Sequence, residues 1–600
     1  MAQYINMDNL RFYLFEVLDM DEILKYEAYQ DYDQDGINIL LDSIKDWADK
    51  SFYPYFREMD EQPVHYKDGV VYSHEQIGKV MKEGGENGYL GAYFKYEDMG
   101  SQMPRVIFAA TSHILQCANN NLPGYLNLTA GAASLIANFA TRDLFDKYVP
   151  KMLSGEWGGT MALTEPQAGS SLSDITTSAA PNEDGSYSIK GQKIFISGGD
   201  HQGCDNFVHL TLARIEGAPK GTKGISLFII PKHRIEDDGT LSYNDVFTAS
   251  DFQKLGQRGY STVHLVFGEN ENCKGWLVGE ANKGLSYMFQ MMNGARIDVG
   301  LTAASTATAA YYASLQYAKE RPQGRPLTED GKKNVDAEQT IIINHPDVKR
   351  MLLFQKAILE GALSLIFYCS ALEDKVHNDS DSEAHHLLLE LLTPVAKTFP
   401  SEKGKDTIDQ GLQVLGGYGF CMDFPLQQYY RDIRIMPIYE GTTGIQSLDL
   451  LGRKIPMAEG KALGILQEKI THTIKEASKH ESLKPYADQL TNAMQTVQST
   501  LGHLMPFAMQ KAYQSYLADA TIFMDLFSYT VVGWQWLHMG LKSIERLNSE
   551  TGISRNFYES KLHTMKFYYK YEMPKVKACA KTIVSGELLT VGDKVLDYIN

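Results

Sequence analysis

The sequence DQGLQVLGGYGF at residues 409–420 is followed by YYRDIR at 429–434 and IYEGTTGIQ at 438–446. Together these three segments are the most specific feature of the 600-residue chain. Glu440 stands between Tyr439 and Gly441, where a glutamate can be an ordinary carboxylate at the start of a helix. The role of Glu440 can therefore be inferred only together with the motifs elsewhere in the chain.

The composition predicts a globular protein with more than one domain, since 44% of the residues are hydrophobic and 22% are charged. The net charge of -17 repels phosphate backbones and acidic lipids, so we expect no nucleic acid partner. No signal peptide is visible, and the most apolar stretch, 301–318, is interrupted by polar residues. Six scattered cysteines predict neither disulfides nor a metal site. We expect a soluble, cytoplasmic protein without a membrane span.

The spacing of apolar residues divides the chain into four parts. Residues 1–155 show helical periodicity, whereas residues 156–283 contain short β-rich runs separated by Gly, Asp and Asn. Long helical patterns resume over 284–457, as in an antiparallel bundle, with a polar loop at 328–339. Amphipathic helices continue over 458–600. The sequence predicts a mainly α protein with a small central β domain and an added C-terminal helical domain.

Two further motifs lie at and inside the predicted β domain. MALTEPQAGS at 161–170 contains a glycine-bearing turn, which lets main chain approach a ligand closely but is also compatible with a plain turn before a strand. GQKIFISGG at 191–199 predicts a strand. The period of two would place Phe195 and Ser197 on one face, although an ordinary half-buried strand gives the same pattern.

These motifs, in this order, resemble the acyl-CoA dehydrogenase family. The inserted loop and the C-terminal helices resemble the subgroup that includes 3-methylmercaptopropionyl-CoA dehydrogenases. The sequence departs from the family pattern at Ser171, where Asp is usual, and at Phe195, where Trp is usual. The segment RPQGR at 321–325 also lacks the usual Phe. The resemblance covers essentially the whole chain and implies the acyl-CoA dehydrogenase fold.

The resemblance also implies roles for individual residues. Glu440 corresponds to the catalytic base. The residues implied in FAD binding are Leu163, Thr164, Ser170, Phe195, Ser197, Arg321, Gln413, Gly417 and Thr442. The residues implied in acyl-CoA binding are Ser170, Arg296, Tyr439 and Gly441.

The implied reaction is FAD-dependent α,β-dehydrogenation of an acyl-CoA thioester to a trans-2-enoyl-CoA. The acyl group would be 3-methylthiopropanoyl or a short to long fatty acyl group, and an electron-transfer flavoprotein would accept the electrons. We expect a homodimer in which the C-terminal helices cover the face that other members use for tetramer contacts. Two alternatives stay open: an acyl-CoA oxidase, and a flavin-bearing, DNA-associated binding protein of the same fold. The mixed charge of the C-terminal region disfavours the second.

Overall fold

The computed structural model describes residues 3–549 and 552–599, apart from the side chains of residues 289–292 and 593. The chain forms two compact units. One unit is Asp35–Ala295, and the other combines Met1–Gln34 with Arg296–Asn600. The four predicted parts of the chain therefore fall into two compact units. The N-terminal 34 residues group with the C-terminal half of the chain.

The N-terminal part is helical. Its helices are α1 (Met7–Arg11), α2 (Met20–Ile23), α3 (Gln34–Trp47), α4 (Phe56–Glu61), α5 (Gln76–Glu86), α6 (Arg105–Ala118), α7 (Leu122–Phe139) and α8 (Arg142–Leu153). Helix α3 buries Ile37, Leu41 and Ile44, whose spacing of three and four places them on one helical face. A short antiparallel hairpin, β1 (His65–Lys67) and β2 (Val70–Tyr72), was not predicted.

The central β domain contains one eight-stranded mixed sheet. Its strands are β3 (Trp157–Ala162), β4 (Ser178–Pro181), β5 (Tyr187–Ser197), β6 (Asn206–Ile215), β7 (Ile225–Pro231), β10 (Val246–Asp251), β11 (Thr262–Phe267) and β12 (Lys274–Leu277), while β8 (His233–Ile235) and β9 (Leu241–Tyr243) form a separate hairpin. The strand order is β10-β11-β5-β12-β7-β6-β3, and β4 pairs with β5 and β6. The motif at 161–170 begins at the end of β3, and the motif at 191–199 contains the end of β5.

Long helices form the bundle that follows. They are α9 (Gly284–Glu320), α10 (Pro346–Asn378), α11 (Ser382–Leu415), α12 (Leu426–Ile433) and α13 (Thr443–Asp449). The polar stretch 328–339 contains neither helix nor strand, as predicted. Two consecutive left-handed residues, Glu440 and Gly441, lie just before α13.

The C-terminal helices pack on this bundle. They are α14 (Lys461–Ala477), α15 (Lys484–Met509), α16 (Tyr513–Leu517), α17 (Ala520–Leu547), α18 (Arg555–Tyr571) and α19 (Lys575–Ile583). Trp536 of α17 is fully buried and donates its indole N–H to the Ala357 carbonyl of α10 (2.8 Å). The π-helical segment Phe12–Val17 also packs against α10, because Tyr13 donates to the Glu360 carbonyl (3.2 Å). The predicted fold class is confirmed.

One helix among the described residues, α10, is long and apolar enough by length and composition to cross a membrane. Its most apolar window has a mean hydropathy of 1.5, and 78% of that window is buried in the protein. The core helix of a soluble protein passes the same test. Among the described helices, α10 passes this test, and the predicted apolar stretch 301–318 in α9 does not.

The contact between α10 and α17 gives a test of packing. A methyl group added at Gly361 would lie 2.6 Å from both the Trp536 indole nitrogen and a Val532 methyl carbon. We expect Gly361→Ala to lower the free energy of unfolding by about 1–3 kcal/mol, because a well-packed core does not accept an added group without strain. Thermal unfolding of the two proteins would measure this loss as a lower Tm.

Gly464→Ala is the matched control, because a methyl group at this position of α14 meets no atom within 4 Å. That variant should be neutral or more stable by up to about 1 kcal/mol, since Ala favours helix over Gly. A Gly361→Ala protein with an unchanged or higher Tm would contradict the packing described for α10 and α17.

Candidate functional site

A buried carboxylate organises the first motif, which follows β3. The side chain of Glu165 is 1% exposed. It accepts hydrogen bonds from the main-chain N–H groups of Thr176 (2.6 Å) and Thr177 (3.0 Å), and from both threonine hydroxyls (2.9 and 2.6 Å). Main-chain donors and hydroxyls therefore fix the turn that contains Leu163 and Thr164.

Lys193 of β5 completes this buried network. Its ammonium lies 2.8 Å from Glu165 Oε1 and donates to the Leu163 carbonyl (3.0 Å), with the Lys193 side chain 0% exposed. Burial alone would raise the pKa of Glu165, but the Lys193 charge and the surrounding hydrogen bonds lower it to about 2. Burial lowers the pKa of Lys193 to about 8. Both groups are charged at neutral pH.

The second motif contains a β-bulge. Along β11 and β5, Val263 pairs with Ile196 and Leu265 pairs with Lys193, so β5 contains one extra residue there. Phe195 has φ +58°, outside the extended region. The bulge interrupts the alternation of side chains between Lys193 and Ile196. The placement of Phe195 and Ser197 on one face stays a prediction.

The bulge presents an aromatic ring next to the first motif. Phe195 is 56% exposed, and its ring centroid lies 4.4 Å from that of Phe252. The main-chain N–H of the preceding residue, Ile194, donates to the Thr164 carbonyl (2.9 Å). Ser197 is half-buried at the end of β5. The structure thus brings Leu163 and Thr164 next to the part of β5 that contains Phe195 and Ser197.

The end of the first motif is open. Ser170 is exposed, and a Cβ added at Gly169 would meet no atom within 4 Å. Main chain at this turn is therefore accessible to a ligand. A hydroxyl beside open main chain is suited to hydrogen bonding with an anionic group such as a diphosphate.

In the other unit, a strained loop holds Glu440. The φ angles are +52° at Glu440 and +84° at Gly441, and left-handed backbone is costly for a residue with a Cβ. Gln446 donates its side-chain amide to the Glu440 carbonyl (3.1 Å). The hydroxyl of Thr442 accepts from the Ile445 N–H (3.2 Å), which caps α13. Glu440 precedes the cap by two residues, so it is not the N-cap of α13.

Lys397, in the middle of α11, supports the same loop. Its side chain is fully buried, and its ammonium donates to the carbonyls of Met436 (2.7 Å) and Gly441 (2.9 Å). Burial lowers the pKa of Lys397 to about 8, although the carboxylates of Glu440 and Glu402 oppose the shift. The residue remains positively charged at neutral pH.

Opposing effects act on the Glu440 carboxyl group. Burial raises its pKa above the ordinary value, while the positive charges of Arg296 and Lys397 lower it. Burial is the largest of these causes, so the shift is upward. A carboxylate with a raised pKa is a stronger base than an ordinary glutamate, which is the property that proton abstraction requires.

Arg296 and Tyr439 lie near this carboxylate. Arg296 is 7% exposed, and its Nη1 lies 3.3 Å from Asp449 Oδ2. The Tyr439 hydroxyl donates to the sulfur of Met436 (3.1 Å), and burial followed by the Glu440 charge raises the pKa of the phenol, which stays protonated. Glu440, Arg296, Tyr439, Gly441 and Thr442 are therefore brought together in one unit.

The remaining predicted residues lie near the C-terminal end of α11. Gln413 is in its last turn, and Gly417 follows the helix with open space where a Cβ would stand. Arg321 is exposed after α9, with its guanidinium carbon 5.8 Å from the ring centroid of Tyr418. An exposed guanidinium near open, glycine-rich main chain suits an anionic ligand.

The chain is similar to known protein families along most of its length. Residues 35–156, 160–269 and 332–455 match the N-terminal, middle and C-terminal domain families of acyl-CoA dehydrogenases, and 466–591 match the family described as acetyl-CoA dehydrogenase C-terminal like. The chain is 33% identical over 595 residues to the butyryl-CoA dehydrogenase of Syntrophomonas wolfei, with 96% of each chain covered. The chain belongs to the acyl-CoA dehydrogenase family.

A second relative of this acyl-CoA dehydrogenase is the 3-methylmercaptopropionyl-CoA dehydrogenase of Ruegeria pomeroyi, 34% identical over 92% of this chain and 93% of the relative. The acyl-CoA dehydrogenase from Bacillus anthracis, solved in complex with FAD, shares the fold with a TM-score of 0.74 at 23% identity, over 96% of this chain and 92% of that one. The family is FAD-dependent, and the predicted enzyme class and cofactor are confirmed.

Each of the two units separately presents groups that fit part of a flavin nucleotide. The β-domain edge supplies an exposed aromatic ring at Phe195 and hydroxyls at Thr164 and Ser170. The end of α11 supplies the open main chain of Gly417 and the nearby guanidinium of Arg321. Aromatic, hydroxyl and cationic groups are the chemistry needed for an isoalloxazine ring and a diphosphate. The cofactor-binding roles of the individual residues remain predictions.

Sequence reasoning missed two of the buried lysines, Lys193 and Lys397. In the sequence, Lys193 is only part of a predicted strand, and Lys397 lies outside the motifs. The signal for Lys397 was present, because it is a single cation within the otherwise apolar run LLTPVAKTF at 391–399. A charge on the buried face of a long helix requires a partner, and that partner is the loop of Glu440.

The buried pair in the first motif gives a test. We expect Lys193→Met to lower the free energy of unfolding by about 3–5 kcal/mol, because it leaves the Glu165 carboxylate buried without its cation. In the parent, the stability contributed by Glu165 is complete above its ordinary pKa of 4.5 and is lost as pH falls through about 2. Without the Lys193 charge the carboxyl pKa is higher in the variant, so the loss of stability relative to the parent should be smaller at pH 4 than at pH 7.

Lys190→Met is the control, since this lysine of the same strand is 69% exposed and lies 4.0 Å from Glu271. Urea unfolding of the three proteins at pH 7 and at pH 4 would measure both effects. Equal stability of the Lys193→Met and Lys190→Met proteins at pH 7 would contradict a stabilising role for the buried pair.

Proposed function

We propose that Glu440 is the base that removes the α-proton of an acyl-CoA thioester. The observation that carries this proposal is the loop geometry: a carboxylate with a raised pKa, held on a left-handed loop beside Arg296. The β-hydrogen leaves with its electron pair as a double bond forms between Cα and Cβ. The product is a trans-2-enoyl-CoA.

Removal of an α-proton requires stabilisation of the negative charge that develops on the thioester oxygen. We propose that the main-chain N–H of Glu440 donates to this oxygen, so that one residue supplies both the base and a stabilising hydrogen bond. The left-handed conformation at Glu440 and Gly441 supports this role, because strained backbone of this kind persists only where the surrounding structure fixes it. Tyr439 and Gly441 would line the acyl-CoA site, as would Ser170 and Arg296.

Bound FAD supplies the hydride acceptor in this reaction. We propose that the isoalloxazine ring is contacted by Leu163, Thr164, Phe195, Ser197 and Thr442. Ser170, Arg321, Gln413 and Gly417 would contact the diphosphate and the adenosine portion. These contacts hold the cofactor equally before and during the reaction, so their role is binding rather than chemistry.

We propose a short, linear acyl group as the substrate. Two of the relatives similar over nearly the whole chain are named for butyryl-CoA and 3-methylmercaptopropionyl-CoA, and both acyl groups have unbranched α and β carbons. An electron-transfer flavoprotein is the proposed acceptor, because both relatives are dehydrogenases and not oxidases. We place the enzyme in the cytoplasm, where the six free cysteines stay reduced.

We expect Glu440→Gln to fold and to retain its yellow flavin, but to lose turnover by at least about 10²–10⁴-fold, because the amide cannot accept the proton. Anaerobic bleaching of the flavin by a panel of acyl-CoA thioesters, including butyryl-CoA and methylthiopropanoyl-CoA, measures the reaction directly. The parent should bleach fastest with the short linear thioesters.

Glu468→Gln is the control, since this glutamate is exposed on α14 and should leave bleaching unchanged. Turnover by Glu440→Gln near that of the parent would contradict its assignment as the base. Rapid reoxidation of the reduced parent enzyme by oxygen would contradict the dehydrogenase proposal and favour an oxidase.

We also propose that the protein is a homodimer. The C-terminal helices pack on the bundle, as Trp536 does on α10, and thereby cover a bundle surface that would otherwise need a partner. Light scattering of the intact 67.3 kDa chain should give twice that mass. A tetrameric mass would overturn the view that these helices replace a contact between dimers.

A further inference from the structure

Lys397 differs from the other buried lysines in its partners. Lys193 and Lys561 each lie 2.8–2.9 Å from a carboxylate oxygen, and Lys454 pairs with Glu390. The two hydrogen bonds of Lys397 in the described part of the chain go to main-chain carbonyls, those of Met436 and Gly441. A fully buried ammonium is costly, and two carbonyls offset that cost less directly than a carboxylate. The arrangement is therefore not explained by the stability of an ion pair.

The two carbonyls mark the ends of one short segment. Residues 436–441, which we call the base loop, begin at Met436 and end at Gly441, directly after Glu440. The Lys397 ammonium bridges these ends from one point in the middle of α11. It thereby fixes the distance across the loop. The Glu440 carbonyl between them is held separately by the Gln446 amide.

The loop needs such support because of its backbone. The φ angles are left-handed at Glu440 and Gly441 in succession, and this conformation is costly at Glu440, the residue that has a Cβ. A Cβ at Gly441 would lie 2.5 Å from the Gln446 amide nitrogen, so the fold leaves no room to redistribute this strain. Loss of the Lys397 donors would free the Gly441 carbonyl and let the neighbouring peptide rotate.

We propose that Lys397 is a positioning residue that clamps the base loop and so aims the Glu440 carboxylate at the α-carbon of the substrate. The proposal rests on the proposed function of Glu440 and deepens it. Lys397 does not touch the reacting atoms. It acts through the carbonyls of Met436 and Gly441, and its charge favours the ionised form of the base.

Charged and titratable groups face the loop from several sides. Arg296 and Lys397 act on the Glu440 carboxylate, and Tyr439 is affected by Glu440 and Asp298. Glu402 of α11 acts on Lys397 and accepts a hydrogen bond from the Thr443 hydroxyl. Among these groups, Lys397 combines a charge near the base with hydrogen bonds to the base loop. A change at Lys397 should therefore alter both the geometry and the ionisation of Glu440.

The test is steady-state kinetics of the FAD-loaded Lys397→Met enzyme with butyryl-CoA, over a range of pH. Met keeps the unbranched apolar stem and removes the ammonium. We expect kcat to fall by about 10- to 100-fold, since a displacement of about 1 Å at a reacting group has an effect of this order. KM should change little. The acid limb of the kcat profile should move to higher pH, because a positive charge that lowers the Glu440 pKa is gone.

Lys454→Met is the matched control, because it also removes a buried ammonium from the same unit. It should lower the Tm and leave kcat and the acid limb unchanged. Lys397→Arg tests geometry without loss of charge: its acid limb should stay in place while kcat falls, since a larger, planar guanidinium replaces the single ammonium that bridges the two carbonyls. Lys397→Arg also provides the test if Lys397→Met fails to bind FAD or to fold.

The outcomes separate this proposal from the proposed function. A kcat within twofold of the parent and an unmoved acid limb in Lys397→Met, with Glu440→Gln inactive, would overturn the positioning role alone. Parental kcat in Lys397→Arg would overturn it as well. An active Glu440→Gln enzyme would overturn both. A Tm loss without any change in kcat or pH profile would show that Lys397 is only structural.

Discussion

The antiparallel packing of α10 and α11 is the constraint on which the C-terminal half of the protein depends. Both helices have long buried runs, and α17 packs its indole at Trp536 against α10. This apolar assembly fixes α11 in place. The base loop then takes its position from α11 through two hydrogen bonds of Lys397. Apolar burial stabilises the packed helices, and a few polar contacts hold the base loop against them.

Both units use a buried lysine to hold a functional backbone segment. Lys193 donates to the carbonyl of Leu163 and Lys397 to that of Gly441. In each case the cost of burying an ammonium is offset by oxygens whose own positions are thereby fixed. A carbonyl held in this way cannot turn without leaving a buried charge unpaired. Buried polar groups of this kind thereby restrict the backbone to one conformation.

The fold class and the order of the domains could be predicted because their signals are local. Helical periodicity, short β-rich runs and the segment around Glu440 are readable in windows of ten to twenty residues. The bulge at Phe195 could not be, since it depends on how β5 pairs with β11, about 70 residues later. The grouping of the N-terminal 34 residues with the C-terminal half of the chain depends on contacts such as that of Tyr13 with Glu360. Pairings so distant in sequence leave no periodic signal.

In the candidate site, too, only the features with a local sequence signal could be predicted. Its residue types were predictable from motifs, whereas their energetics arise from groups that the motifs do not contain. Glu440 lies among opposing influences, because burial raises its pKa while Arg296 and Lys397 lower it. In the proposed reaction this balance serves two needs at different times. Before substrate binds, the two cations favour the ionised form that can accept a proton. Once an acyl chain excludes water, burial dominates further and strengthens the base at the step where proton abstraction occurs.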